Sequence, residues 1–249
     1  FPYTTLFRSD QGPYGTCVTF AATAALDAIK ESGDYVSQQC LLELGNSYEA
    51  KALEDANEDY NVCKPSGWNG YNVFCSLARV KKHGVVAKAS CPHAYPMEEE
   101  SDLITKKLSF DEYKELSQGQ WSQDFMWHPL RNPNSTLDVK RALNSGHRVL
   151  ISTLMNTEHL RSSIGYPVNG KKAALWALPR DAYSLEEFIY EVKNNSMGHA
   201  MIVTGYSDSK QVFKIRNSWG TLAGDNGEYY MTYDYFRMMN QDSIEIGGI

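Results

Sequence analysis

Cys17 stands where a Gly- and Pro-rich loop, Asp10–Thr16, gives way to an Ala-rich helical pattern, Cys17–Ser32. A thiol at the first turn of a helix feels the positive end of the backbone dipole, which favours the nucleophilic thiolate. Taken alone, a cysteine that opens such a helix reads as a small core residue. Gln11 changes that reading. It precedes Cys17 across Gly12-Pro13-Tyr14-Gly15, and a side-chain amide there can reach the same point as the Cys17 backbone N–H. Two donors converging on one position stabilise an oxyanion, at about 2.7–4 kcal/mol per donor. Acyl transfer through a tetrahedral intermediate needs that feature.

Far downstream, Gly198-His199-Ala200 opens a strand that closes at Gly205-Tyr206. One hairpin later comes Arg216-Asn217-Ser218-Trp219-Gly220. A hairpin brings its two strand ends together, so Asn217 can lie beside His199. Its amide oxygen can then accept the imidazole N–H and fix ring orientation and tautomer. Trp219 can shield that bond from water. The ordinary reading of a lone histidine before a strand is a satisfied surface or core residue.

The elements that must carry these groups change character along the chain. Cys17–Ser32 repeats Phe20, Ala24 and Ala28 on one face, with Gly33 in the usual terminating position. A short helix is predicted near Ser37–Leu44 with Ser37 as N-cap. Lys51–Gly70 is polar, and Tyr71–His83 is helical and stops at Gly84. Later come a short helix at Leu137–Asn144 and strands at Val149–Leu154, Ala200–Tyr206, Gln211–Arg216 and Glu228–Tyr233. Helices first and strands later predict an α+β protein with a helical N-terminal lobe and a β-sheet or barrel-like C-terminal lobe. Met97–Pro133 and Thr157–Met197 are weakly patterned and are read as surface elaborations, with local helix at Ser184–Lys193.

Four blocks together carry a resemblance. They are Gln11-Gly-Pro-Tyr-Gly-Thr-Cys17-Val-Thr-Phe20, then Val36-Ser37-Gln38-Gln39 with Gly67-Trp68-Asn69-Gly70, then Gly198-His199-Ala200 with Gly205-Tyr206, and finally Asn217-Ser-Trp-Gly-Thr221 with Asn226-Gly227. In composition and order they resemble the papain-like cysteine peptidases, from Gln11 to about Tyr230. One block would be weak evidence; four in the family's order are a specific signal. The resemblance implies a single two-lobed domain, 1–249, with an active-site cleft between a helical lobe at about 10–100 and a β lobe at about 130–249. Insertions of about 97–133 and 157–197 are unmatched. It implies Cys17 as nucleophile, His199 as acid–base partner, Asn217 as its orienting group and Gln11 in the oxyanion hole. Gly70, Tyr71, Gly198, Ala200 and Trp219 would meet the substrate. A small, uncharged Gly198 implies an apolar preference two residues upstream of the cut. The implied activity is peptide-bond hydrolysis, most simply by an endopeptidase. An exopeptidase, an acyl transferase and a non-catalytic binding module of the same fold are the alternatives. Retention of all four catalytic residue types argues against the last.

Departures from the family pattern are informative. The family usually has cysteine at the positions of Tyr14 and Trp68, commonly joined by a disulfide, and tryptophan at the position of Val18. Both half-cystines have changed together, which implies an aromatic contact in place of a bridge. Tyr71 stands where the family has a second glycine.

Bulk properties exclude other classes. The 249 residues carry a formal charge of −6 with no long Lys/Arg cluster, which leaves no electrostatic footprint for nucleic acid or an anionic membrane. No apolar run approaches the roughly 20 residues of a membrane span. Five cysteines occur, none in a CxxC pair, and the histidines have no zinc-ligand spacing, so neither metal nor cofactor is expected. Beside Cys17, the cysteines at 40, 63, 75 and 91 suit two disulfides of unreadable pairing in a secreted or lysosome-like compartment, or else buried free thiols in a cytoplasmic protein. The chain opens without Met and shows no signal peptide; it reads as a processed form or fragment, with no functional weight on Phe1–Ser9. Protein or peptide substrates, an inhibitory pro-segment and a monomeric state are expected. Glu98–Glu100 reads as a solvated acidic run, and Trp121, Phe125 and Trp127 as loop packing onto the core.

Overall fold

The computed structural model describes residues 9–54, 63, 66–95, 107–117, 124–155, 160–161, 174–179, 182–195 and 197–248. Residues 1–8, Glu98–Glu100 and Trp121 lie outside the described residues. The chain divides into two compact units. One holds Gln11–Met126, and the other holds Trp127–Gly247 together with Ser9 and Asp10.

The first unit is helical. Helix α1 spans Cys17–Lys30, α2 Gln38–Glu54, α3 Val73–His83 and α4 Phe110–Leu116. Nearly the whole first three turns of α1 are buried, because alanines at successive positions let its neighbours approach on several sides. The helix ends at Glu31 in the left-handed conformation (φ 52°), with Gly33 following at φ 75°; the expected glycine terminator is therefore two residues late. Helix α2 begins as predicted, with the Ser37 hydroxyl accepting from the Cys40 N–H at 3.1 Å. It runs ten residues past the expected Leu44, since Tyr48 continues the face begun by Leu41 and Leu44. Asn72 caps α3 through the Phe74 N–H, and Gly84 closes it.

Two disulfides cross-link this unit, Cys40–Cys91 and Cys63–Cys75. Of the two sequence readings of these cysteines, the oxidised one holds. The Tyr14 and Trp68 rings meet edge-to-face at 6.0 Å, so an aromatic contact stands where a bridge was absent. Leu42 and Tyr95 complete that cluster.

The sheet consists of β1 (Phe125–Pro129), β2 (Arg148–Met155), β3 (Leu160–Arg161), β4 (Leu175–Trp176), β5 (Met197–Ser207), β6 (Val212–Arg216), β7 (Glu228–Thr232) and β8 (Asn240–Gly248). Its order is β1-β8-β2-β5-β6-β7-β4-β3. The pairs β2–β5, β2–β8, β5–β6 and β6–β7 are antiparallel, and β4–β7 is parallel. Helices α5 (Thr136–Asn144), α6 (Ala182–Asn195) and α7 (Tyr233–Met239) belong to the same unit.

The surface-elaboration reading of Thr157–Met197 is corrected here. Trp176, Phe188 and Val192 from that stretch are almost wholly buried in the main core with Val149, Ile151, Phe213 and Tyr229. Its pattern is weak because β4 is only two residues long. Within 97–133, Phe125 packs into the core as expected, but it opens strand β1 and is not part of a loop. Helix α7 and strand β8 also escaped the sequence reading. They follow β7 without a turn signal, and only burial of Tyr235, Phe236 and Met239 reveals the change of period.

Candidate active site

In the second unit, the site is built by strand register. Ile202 on β5 lies opposite Arg216 on β6. Continuing by one residue places Asn217 opposite Met201, and so on the same face as His199, its diagonal neighbour. The side chains meet: His199 Nε2 lies 2.7 Å from Asn217 Oδ1. The same oxygen accepts the Ser218 backbone N–H at 2.8 Å. That second bond identifies the atom as the amide oxygen, so Nε2 carries the hydrogen. In the neutral ring Nδ1 is then the basic nitrogen.

Both residues are buried, His199 at 8% and Asn217 at 5% exposure. Burial pushes the imidazole pKa down, and the hydrogen bond to Asn217 acts in the opposite sense. The Trp219 ring stacks on the imidazole at 5.0 Å and 29°. Trp219 is itself set edge-on to Trp176 at 6.1 Å and to Tyr229 at 5.6 Å. Its backbone pairs with Asp10, and the Gly220 N–H donates to Ser9 O at 3.1 Å. Gly220 is required there: at φ 68°, its Cβ would stand 2.8 Å from an Asp10 carboxylate oxygen. The sequence reading missed these supports. Ser9 and Asp10 carry no motif, and Trp176 lies in a stretch with no pattern of its own.

In the first unit, Cys17 is the first residue of α1, 7% exposed, and the cysteine outside both disulfides. Thr16 makes no side-chain cap, and no acidic residue occupies the first turn of α1, so Cys17 stands at the positive end of the helix dipole. The preceding loop is stiffened from within. Gln11 Nε2 donates to Tyr14 O at 2.7 Å. Gly70 N–H donates to Gly15 O at 2.9 Å, and a Cβ on Gly15 would stand 2.9 Å from that nitrogen. Tyr95 reaches the same loop; no sequence signal marked it.

The expected substrate-facing residues divide. Among the described residues nothing lies within 4 Å of where a Cβ would sit on Gly70 (φ 84°) or Gly198. Tyr71 is different: Arg79 lies over its ring at 4.4 Å, and burial raises its pKa. Ala200 is buried within β5. Among the described residues no group of His, Cys, Asp or Glu is placed to hold a metal ion.

Solved structures place the chain in a known class: the fold is that of the papain-like cysteine proteases. Xylellain, a cysteine protease from Xylella fastidiosa, superposes with a TM-score of 0.63 at 19% identity, covering 98% of this chain and 83% of that one. The Carica candamarcensis cysteine protease CMS1MS2, in complex with E-64, gives 0.58 at 17% identity over 97% and 92%. The ragweed cysteine protease Amb a 11, in its proform, gives 0.58 at 16% over 99% and 62%. Residues 188–242, which include His199, Asn217 and Trp219, match the Peptidase C1-like family. No curated protein matches the sequence. The chain thus has a papain-like fold, and the segment that carries His199 and Asn217 matches the Peptidase C1-like family model.

Proposed function

We propose that the chain is a papain-like cysteine peptidase that cleaves within polypeptides, with Cys17, His199, Asn217 and Gln11 in the roles their residue types imply. The observation that carries this reading is the buried His199–Asn217 bond, 2.7 Å long and covered by Trp219. It commits Nε2–H and leaves the basic nitrogen, Nδ1, to handle a proton.

In the proposed cycle, Nδ1 takes the Cys17 proton and the sulfur attacks the peptide carbonyl carbon. An S–C bond forms, and the carbonyl π pair moves to oxygen, where the Cys17 N–H and the Gln11 amide donate to it. As the C=O reforms, the C–N bond breaks and Nδ1–H protonates the departing amine. Water then attacks the thioester, Nδ1 accepts its proton, and the acid leaves as the thiol is restored. This reading requires the thiol and Nδ1 to come within hydrogen-bond reach of one another.

Gly70 and Gly198 are the proposed substrate contacts, since a peptide can approach a backbone with no side chain over it. Tyr71, Ala200 and Trp219 shape the surroundings. Substrates with Leu or Val two residues before the cut are cleaved faster than those with Arg. Two disulfides support an exported or lysosome-like setting, and the proform of the ragweed protein supports a pro-segment. Among the described residues no helix is long and apolar enough to cross a membrane.

Labelling with an epoxide thiol inhibitor, followed by peptide mapping, tests the assignment. Modification at Cys17 that disappears in His199→Ala supports it; uniform modification of several cysteines, or none, overturns it. Equal cleavage of end-blocked and unblocked peptides supports internal cutting, and strict dependence on an unblocked terminus refutes it.

A further inference from the structure

We propose that Tyr95 is a positioning residue for the oxyanion loop, holding both ends of the Gln11–Thr16 segment on one hydroxyl. The inference rests on the peptidase reading above. Tyr95 Oη donates to Gln11 O at 2.6 Å and lies 3.0 Å from Thr16 Oγ1. Because the phenolic hydrogen is committed to the Gln11 carbonyl, the Thr16 hydroxyl donates in the second bond. One tether thus fixes the backbone of Gln11, whose side-chain amide is held separately by Tyr14. The other fixes Thr16, whose carbonyl belongs to the peptide that carries the Cys17 N–H. The two proposed oxyanion donors are therefore indexed to a single atom.

That atom is itself held firmly. The Tyr95 ring stacks on Trp68 at 6.0 Å and 9°, and meets Phe20 edge-to-face at 4.8 Å. Just upstream, Cys91 is bonded to Cys40 on α2. Between them, His93 Nδ1 lies 2.8 Å from Oε1 of Glu43, a fully buried carboxyl on the same helix. A segment anchored covalently, by a buried polar contact and by ring packing is a rigid reference point for a loop that contains Gly12 and Pro13.

Two reactions of the same thiol separate positioning from general loosening. Addition of Cys17 to a peptide aldehyde forms an S–C bond and moves the C=O π pair to oxygen, so it uses the oxyanion donors. Alkylation by iodoacetamide displaces iodide and develops no oxyanion. Tyr95→Phe keeps the ring packing and removes the tether. It is expected to lower kcat on a peptide amide by about 10- to 100-fold with KM little changed, and to weaken aldehyde inhibition by the same factor. The iodoacetamide rate stays at the wild-type value. Thr16→Val, which removes one of the two bonds, gives a smaller loss in the same direction and serves if Tyr95→Phe fails to fold. Wild-type kcat and aldehyde affinity in either folded variant overturn the proposal, as does an equal fall in the iodoacetamide rate. A wild-type Cys17 inert to both reagents sinks the peptidase reading itself, and this inference with it.

Discussion

Asp27 lies ten residues along α1 from Cys17, 4% exposed, where its carboxyl accepts the Val36 N–H and the Ser32 hydroxyl, both at 3.1 Å. Burial dominates those bonds and pushes its pKa from 3.8 up to about 7. A carboxyl whose folded pKa is raised favours the folded state fully below the unfolded value. That contribution is lost as pH rises through the folded value. Raising the pKa from 3.8 to about 7 corresponds to about 4 kcal/mol, of which about 2–3 kcal/mol falls between pH 5 and pH 8. Asp27→Asn keeps an acceptor for the Val36 N–H and cannot ionise, and the Ser32 hydroxyl can turn to accept from the new amide. The variant should therefore gain on wild type by about 2–3 kcal/mol from pH 5 to pH 8, moving the urea midpoint by roughly 1 M relative to wild type. Urea unfolding of both proteins, followed by tryptophan fluorescence across that range, measures the gap. A gap that stays constant with pH would show that Asp27 is already ionised in the folded state, and would refute the reasoning.

Other expectations follow from single contacts. Asn217→Ala removes the oxygen that accepts Nε2–H, so kcat should fall by about 10²-fold or more, through loss of tautomer and orientation; a loss under twofold counts against an orienting role. In a Cys17→Ala background, Trp219→Ala should raise the His199 pKa toward its ordinary value, because the burial that lowers it is relieved. An NMR titration of the ring reads this, and a further fall would contradict it. Trp68→Ala should cost about 3–5 kcal/mol of stability, since the ring is 7% exposed and packs against Tyr14 and Tyr95. A double-mutant cycle with Tyr14→Ala should give a coupling of about 0.5–1.5 kcal/mol, and zero coupling would remove the aromatic contact as a substitute for a bridge.

Local signals made much of the protein legible. The Ala-rich run after Cys17, the Ser37 cap, the glycine after His83 and the strands around His199 and Arg216 sit where residue types and period put them. The order of the blocks sufficed to expect the α+β architecture. The misread elements lack a clear local signal, each for its own reason. Strand β4 is too short to show a period, and α2 beyond Leu44 is polar enough to resemble a loop, yet Tyr48 is buried. Strand β8 alternates weakly because both faces of its middle are covered: Ser243, Ile244 and Ile246 are all nearly inaccessible.

The site divides in the same way. Which residue types could do the chemistry is written in the chain itself, because a nucleophile, a base and an amide must be particular side chains. What supports them is not. Tyr95 meets Gln11 across 84 residues, Ser9 meets Gly220 at the far end of the chain, and Trp176 reaches Trp219 from an unpatterned stretch. The pairing of four cysteines and the inward turn of Tyr71 belong to that group too. Propensity and period act over a few residues, whereas these contacts exist only after the core has buried distant segments against one another.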